Sequence, residues 1–286
     1  MTRSLEDYKF EGVIIMEEMQ EIQGLFMTTE TLKADIASLG VQPGMTVMMH
    51  SSMKALGGFV SGGAVAVILA MEECLGSEGT LLMPTHTNDL SDPAHWRRPP
   101  VKEAWWQPIR DTMPAFAADL TPCYGMGAIN EAFRKQNGVV RSNHPQVSFA
   151  AWGANKHSLT AEHSLAYSLG ECTPLARLYE AEGSILLLGV GYNRNTTLHL
   201  AEYRASYKGK QETKNGAPFL VNGERQWVEF EDIEFESDDF NALGEAFERE
   251  TGLVRNGKVG AADAKLLPVK ELVDYAVKWM ELNRGV

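Results

Sequence analysis

The run strand, helix, strand between residues 46 and 86 constrains the fold of this chain more than any other stretch. TVMMHSS (46–52) is a short apolar run that ends in small polar residues. SGGAVAVILAMEECLG (61–76) starts on glycines and reads as a helix, and GTLLMPTH (79–86) is a second apolar strand. Two such strands joined by a helix form a crossover unit, which belongs to a largely parallel sheet.

The flanking sequence continues the alternation. TTETLKADIASLG (28–40) has a Thr-x-x-Glu-like start and a glycine stop, the marks of an amphipathic helix. FAADL and GAINEAFRKQ (127–136) read as helical, VSFAAWG (147–153) as a strand, and TPLARLYEAEG (173–183) as a helix stopped by Gly183. SILLLGVG (184–191) is a buried strand followed by a helix, TTLHLAEYRASY (196–207). Alternating runs such as WVEFEDIEFE (227–236) precede helices near 238–250 and 268–284. The stretch from Thr85 to about Pro114 has no sustained period, and so long an irregular segment tends to be functional. There is no linker, so the expectation is an N-terminal extension over 1–27 and a single α/β domain over 28–286, its mixed, partly parallel central sheet flanked by helices.

Composition narrows the function. Of 286 residues, 44% are hydrophobic and 22% charged, as in an ordinary soluble domain, and no apolar run reaches the roughly 18 to 20 residues of a membrane span. The first thirty residues mix charges and are not signal-like, which points to the cytoplasm. The net charge of −12 disfavours nucleic acid and suits a cationic small molecule. Cys74, Cys123 and Cys172 are far apart and odd in number, suggesting neither disulfides nor a metal site.

Five stretches carry candidate chemistry. In HSSMKALGGFVSGGAVAV (50–67) the glycines either let backbone N–H groups meet a phosphate or simply turn the chain, and the spacing matches no standard phosphate loop. His86, Asp89, Asp92 and His95 fit no zinc spacing, so the expectation is no metal, with the carboxylates facing a substrate or forming a turn. RSNHPQ (141–146) is a polar cluster at a strand mouth, lining a pocket or forming a turn. His163, Tyr167 and Glu171 lie four apart, as on one helical face, where a histidine is either structural or catalytic. Last, Thr196 or Thr197 can cap a helix on which His199 and Glu202 share a face at the carboxyl edge of the sheet, where α/β proteins bind ligands.

Taken in order, HSSMKALGGFVSGG, LLMPTHTNDLSDPAHW, IRDTMPAF, MGAINEAFRKQNGVVRSNHPQVSFAAWG, HSLAYSLGECTPLARLY and ILLLGVGYNRNTTLHLAE resemble the aminoglycoside 3-N-acetyltransferase family. The likeness runs from about residue 28 to about 210, with Thr173 where the family's serine usually precedes proline. It implies a fold distinct from the larger acetyltransferase superfamily. It also implies acetyl-CoA as cosubstrate and direct attack of an aminoglycoside 3-amino group on the thioester, giving antibiotic resistance. An alternative is a same-fold enzyme acting on another amine. On this resemblance His163 is expected as the general base with Glu202 orienting it, and His199 as the rival base. Ser51, Ser52, Met53, Lys54, Ala55, Leu56 and Gly57, with Gly62, Gly63, Arg141 and Ser142, are expected to hold the CoA. Asp89, Asp92, Glu171 and Tyr192 are expected at the cationic acceptor, and the enzyme is expected to be a monomer or homodimer.

Overall fold

A computed structural model describes residues 21 and 23–285; most of the expected extension, residues 1–20 and 22, lies outside the described residues. The chain begins with strand β1 (Leu25–Met27), helix α1 (Thr29–Leu39) and strand β2 (Thr46–Ser51). Strand β3 (Gly58–Val60), helix α2 (Gly63–Leu75) and strand β4 (Thr80–Pro84) complete the crossover unit anticipated above. Then come α3 (Trp106–Thr112), α4 (Ala128–Arg134), β5 (Val140–Arg141), β6 (Phe149–Gly153), α5 (Lys156–Thr160), α6 (Pro174–Glu180), β7 (Ser184–Leu188) and α7 (Thr197–Arg204). The C-terminal third holds β8 (Glu212–Val221), β9 (Glu224–Ile233), α8 (Phe240–Thr251), β10 (Arg255–Val259), β11 (Ala262–Pro268) and α9 (Val269–Asn283).

Seven strands form one mixed sheet in the order β10-β11-β7-β2-β4-β6-β5. Its centre is parallel, with β2 between β7 and β4, and β11 and β6 pair antiparallel on either side. Alternation along the strands divides the core into two layers. Val47, Met49, Leu81, Met83, Leu186 and Leu188 pack with α1, α2 and α4. Met48, Leu82, Ile185 and Leu187 face the opposite way, against α6, α7, α8 and α9. This is why the central strands read as unbroken apolar runs: neither face meets water.

Local chemistry sets the element ends. Thr28 caps α1 by accepting from the Thr31 N–H, and Thr31 Oγ1 accepts from the Thr28 N–H at 2.9 Å, so the box closes on threonine rather than the anticipated glutamate. Leu25–Met27 pairs in parallel with Gly58–Val60, and Met27 is buried. FAADL, expected to be helical, is loop and turn, and Phe116 instead fills the space beneath the Arg141 guanidinium. Residues 161–173 form no helix either; Glu162 and Tyr167 have positive φ, so His163, Tyr167 and Glu171 share no helical face. Within the irregular segment, α3 is tied back by the ion pair of Arg110 with Asp92 at 2.7 Å.

Gly244 shows how closely α8 is seated: a Cβ there would stand 2.0 Å from the Tyr192 ring. Gly244→Ala gains about 1 kcal/mol in helix propensity but must displace a buried ring, a cost of about 1–3 kcal/mol. Net destabilisation is expected in urea denaturation; a stabilised variant would show that Tyr192 does not fill this space.

Candidate active site

The parallel strands β7, β2 and β4 end at one edge of the sheet. From β2 the chain passes to β4 on one side and later to β7 on the other, so the crevice above β2 is where such a sheet accepts a ligand. A cavity of about 600 Å³ opens there. It is lined by His50 and Ser51 at the end of β2 and Ser52–Lys54 beyond it, Pro84 at the end of β4 and His86 beyond it, Val190 beyond β7, and the start of α4. A second cavity of about 780 Å³ adjoins it and shares His86, Met126, Arg194 and Thr196. The β8–β9 hairpin closes the second cavity with Thr213, Asn215 and Ile233, followed by Glu234 and Phe235.

Helix α7 carries His199 to the second cavity. Its Nδ1 lies 2.5 Å from Glu202 Oε2, so Nδ1 carries the proton and donates, leaving the Nε2 lone pair without a partner among the described residues. Glu202 is fully buried, and its second oxygen accepts from the Glu236 N–H at 3.0 Å and from Arg284 Nη1 at 2.6 Å. Arg284 is held in turn by Asp239, whose two oxygens accept from Nε at 2.7 Å and Nη2 at 2.6 Å. A carboxylate bonded in this way fixes the imidazole in orientation and tautomer, the arrangement a general base requires.

The structure corrects several expected roles. His163 is not paired with Glu202: its Nδ1 hydrogen-bonds Ser142 Oγ at 2.9 Å and its Nε2 donates to the Ser168 carbonyl at 2.7 Å, so neither nitrogen is left for a substrate. Ser142 is occupied by that histidine and by the Phe149 N–H. Arg141 lines neither cavity; its guanidinium donates to Thr85 and Ser148 hydroxyls and to the Thr85, Ala118 and Thr121 carbonyls, binding the irregular segment to the sheet. Asp92 is neutralised by Arg110 and caps Ala94, and Glu171 pairs with Arg204 at 2.7 Å, beside a separate small cavity. Tyr192 is buried and donates to Glu248 Oε2, and Asp89 lies outside both cavities.

Of the expected CoA segment, Ser51, Ser52, Met53 and Lys54 line the first cavity. Ala55 borders another small cavity, Leu56 is core, and Gly57, Gly62 and Gly63 take the left-handed conformations that turn the chain, away from the lining. Sequence reasoning passed over His50, Asn195, Glu234 and Arg284. His50 and Asn195 lie inside quoted motifs without standing out there, whereas nothing local marks Arg284.

Several buried polar atoms on the cavity linings have no partner among the described residues: His50 Nε2, Ser51 Oγ, His86 Nε2 and Asn195 Nδ2. Each such group costs about 1–3 kcal/mol while unsatisfied, and hydrogen-bonding groups from a ligand in these cavities would supply the bonds. Burial pushes the His50 and His86 imidazoles down to about 3 and His163 to about 4, and holds His144 well below its usual value.

An α/β sheet with adjoining cavities at its carboxyl edge and a histidine–carboxylate pair at one of them is the frame of a group-transfer enzyme. The aminoglycoside 3-N-acetyltransferase family model matches residues 48–281, and the chain belongs to that family. It is 43% identical over 269 residues to the SPbeta prophage-derived aminoglycoside N(3')-acetyltransferase-like protein YokD of Bacillus subtilis, covering 94% of this chain and 97% of that one. The YokD crystal structure superposes with a TM-score of 0.89 over 91% of this chain and 96% of that chain. Aminoglycoside N(3)-acetyltransferase VII of Streptomyces paromomycinus is 39% identical, over 91% of this chain and 93% of its own. AAC-IIIb, solved as a binary complex with CoASH, is 30% identical with a TM-score of 0.81, covering 92% of this chain and 99% of that chain. The family likeness read from the sequence, and the mixed α/β fold it implied, are therefore established.

The buried histidines make stability pH-dependent in a stated direction. Below about pH 6.5 the unfolded chain protonates them, whereas the fold holds His50, His86 and His163 neutral down to about 3, 3 and 4. Unfolding therefore takes up protons, and stability falls as pH drops from about 6.5 towards 4, by about 1.4 kcal/mol per pH unit for each histidine. His163→Gln should flatten the slope of unfolding free energy against pH by about one proton. An unchanged slope would mean that His163 is charged in the fold.

Proposed function

We propose that the chain is an acetyl-CoA-dependent N-acetyltransferase that acetylates the 3-amino group of an aminoglycoside by direct attack on the thioester, in the cytoplasm, as a monomer or homodimer, and so confers resistance. The observation that carries this reading is the His199–Glu202 pair at the second cavity, beside a separate cavity at the carboxyl edge of the sheet. The first cavity takes acetyl-CoA: Ser51 Oγ and His50 Nε2 offer unsatisfied hydrogen-bonding groups, and Lys54 offers a cation for phosphate. The relative crystallised with CoASH supports the use of acetyl-CoA. The second cavity takes the acceptor.

An acceptor ammonium must lose one proton before it can attack and a second as the C–N bond forms. His199 Nε2 takes a proton from the nitrogen, and Glu202 stabilises the imidazolium that results. The imidazolium then protonates the departing thiolate, and the other proton passes to solvent. Arg284 pairs with Glu202 in its buried site and holds the carboxylate where it orients the imidazole.

One observation favours a second reading, an amine acceptor other than an aminoglycoside. Among the described residues lining the second cavity, Glu234 is the sole carboxylate, which is few for a substrate with several ammonium groups. Thiol release from acetyl-CoA with gentamicin-like and neomycin-like aminoglycosides and with a simple amine decides between them. Rapid release with the aminoglycosides is expected; silence across the aminoglycosides despite acetyl-CoA binding would move the second reading forward.

His199→Ala should lower kcat by about 10²–10⁴-fold with little change in acetyl-CoA affinity, and Arg284→Ala, which removes one of the donors that hold Glu202, should lower kcat with acetyl-CoA affinity likewise little changed. Normal turnover by His199→Ala would remove the proposed base.

A further inference from the structure

We infer that the Asn195 side-chain amide donates a hydrogen bond to the acetyl oxygen as it becomes an oxyanion, an assignment that rests on the acetyl-transfer reading above. Asn195 precedes α7 and is 1% exposed. Its backbone N–H donates to the Tyr192 carbonyl at 2.9 Å, and its own carbonyl accepts from the Leu198 N–H at 3.2 Å. The side-chain Oδ1 accepts from the Thr197 N–H at 3.2 Å. That bond fixes which way the amide points, because the flipped orientation would set N–H against N–H. Only Nδ2 is left over, buried and without a partner among the described residues.

The position of this donor is as informative as its lack of an acceptor. Asn195 lines the second cavity and is followed by Thr196, which with Arg194 lines both cavities. His199 is four residues further on, in the first turn of α7, and Asn195 lies just before the Thr196 cap of that helix, so the donor and the base both line the second cavity. A carboxamide N–H donates but is far too weak an acid to give up its proton to the oxyanion, which suits a place where negative charge appears and then leaves. His86 also has an unpartnered nitrogen on both linings, but nothing in its surroundings fixes its tautomer, so its geometry does not define a donor.

The step balances with the groups already placed. The acceptor nitrogen lone pair forms the C–N bond, the carbonyl π pair moves to oxygen, and the nitrogen gives a proton to His199. Asn195 Nδ2–H holds the oxyanion without proton transfer. The oxygen pair then restores the carbonyl, the C–S bond breaks with its electrons on sulfur, and the His199 imidazolium protonates the thiolate.

Asn195→Asp tests this directly, because its carboxylate keeps an acceptor for the Thr197 N–H and removes the donor. Asn195→Ser, whose hydroxyl can still cap the helix, serves as a second variant should the aspartate fail to fold. Thermal melting checks both. With 13C-carbonyl acetyl-CoA, the infrared carbonyl band of the bound thioester should lie at lower frequency on the wild type than on either variant, and kcat should fall about 10²–10³-fold with KM values little changed. An identical band with retained kcat would overturn the inference and leave Asn195 as a helix cap. A raised acceptor KM at constant kcat would overturn it by making Asn195 an acceptor-binding residue. Failure of the wild type to bind acetyl-CoA would instead remove the acetyl-transfer reading, and this inference with it.

Discussion

Glu202 is a carboxylate with no exposure to solvent, and the active-site end of the fold is organised around supplying its hydrogen-bond partners. An unpaired charge buried in this way costs several kcal/mol, so the chain surrounds it with three donors: His199 Nδ1–H, the Glu236 N–H and Arg284. Each comes from a different part of the sequence, and each is placed by packing that has its own cause. Helix α7 lies on the β7 side of the sheet because Leu198, Leu200 and Ala201 fill the core there. The segment after β9 is brought over by the hairpin, and Arg284 follows α9, which is anchored through Leu272, Val273, Ala276 and Met280. The histidine is thereby held with one nitrogen towards the protein and the other towards the cavity.

The same device, a buried polar group fully bonded within the protein, explains why His163 is structural. His163 and His199 both occur in motifs with a neighbouring glutamate or serine, and local spacing does not separate them. What separates them is tertiary: Ser142, from the other side of the sheet order, and the Ser168 carbonyl occupy both nitrogens of His163, whereas a helical i,i+3 carboxylate occupies one nitrogen of His199. The buried polar network continues from Ser168 to Asp232, which also accepts from the Tyr203 hydroxyl and ties the hairpin to α7. Here the acidic run of β9 contributes a fully buried aspartate.

Much of the fold was legible because its centre obeys local rules. The runs at 46–51, 80–84 and 184–188 are apolar on both faces, and the glycines and threonines around α1 and α2 mark their ends. FAADL and residues 161–173 defeated the same rules, because helix-forming composition there is overridden by Phe116 packing under Arg141 and by backbone turns at Glu162 and Tyr167. The candidate site was legible as a list of motifs and much less as a set of roles. Asp92, Glu171 and Arg141 look like ligand-binding groups in the sequence, yet each has its partner inside the protein, and those partners lie 18, 33 and up to 56 residues away. Asn195 could be recognised only after its other three hydrogen-bonding positions had been accounted for.

The bond from Arg284 to Glu202 spans 82 residues, and Arg284 is positioned only once α9 has docked against α7. Contacts of such separation form late, because the loop between them must be closed first. A chain that has folded its parallel sheet but not yet seated α9 would have both cavity walls in place and a buried carboxylate still lacking its cation. In such a partly folded form the glutamate would lack the bond that holds it against the histidine. Catalytic competence would then be acquired in the final docking step, so recovery of turnover during refolding should report α9 assembly rather than formation of the sheet.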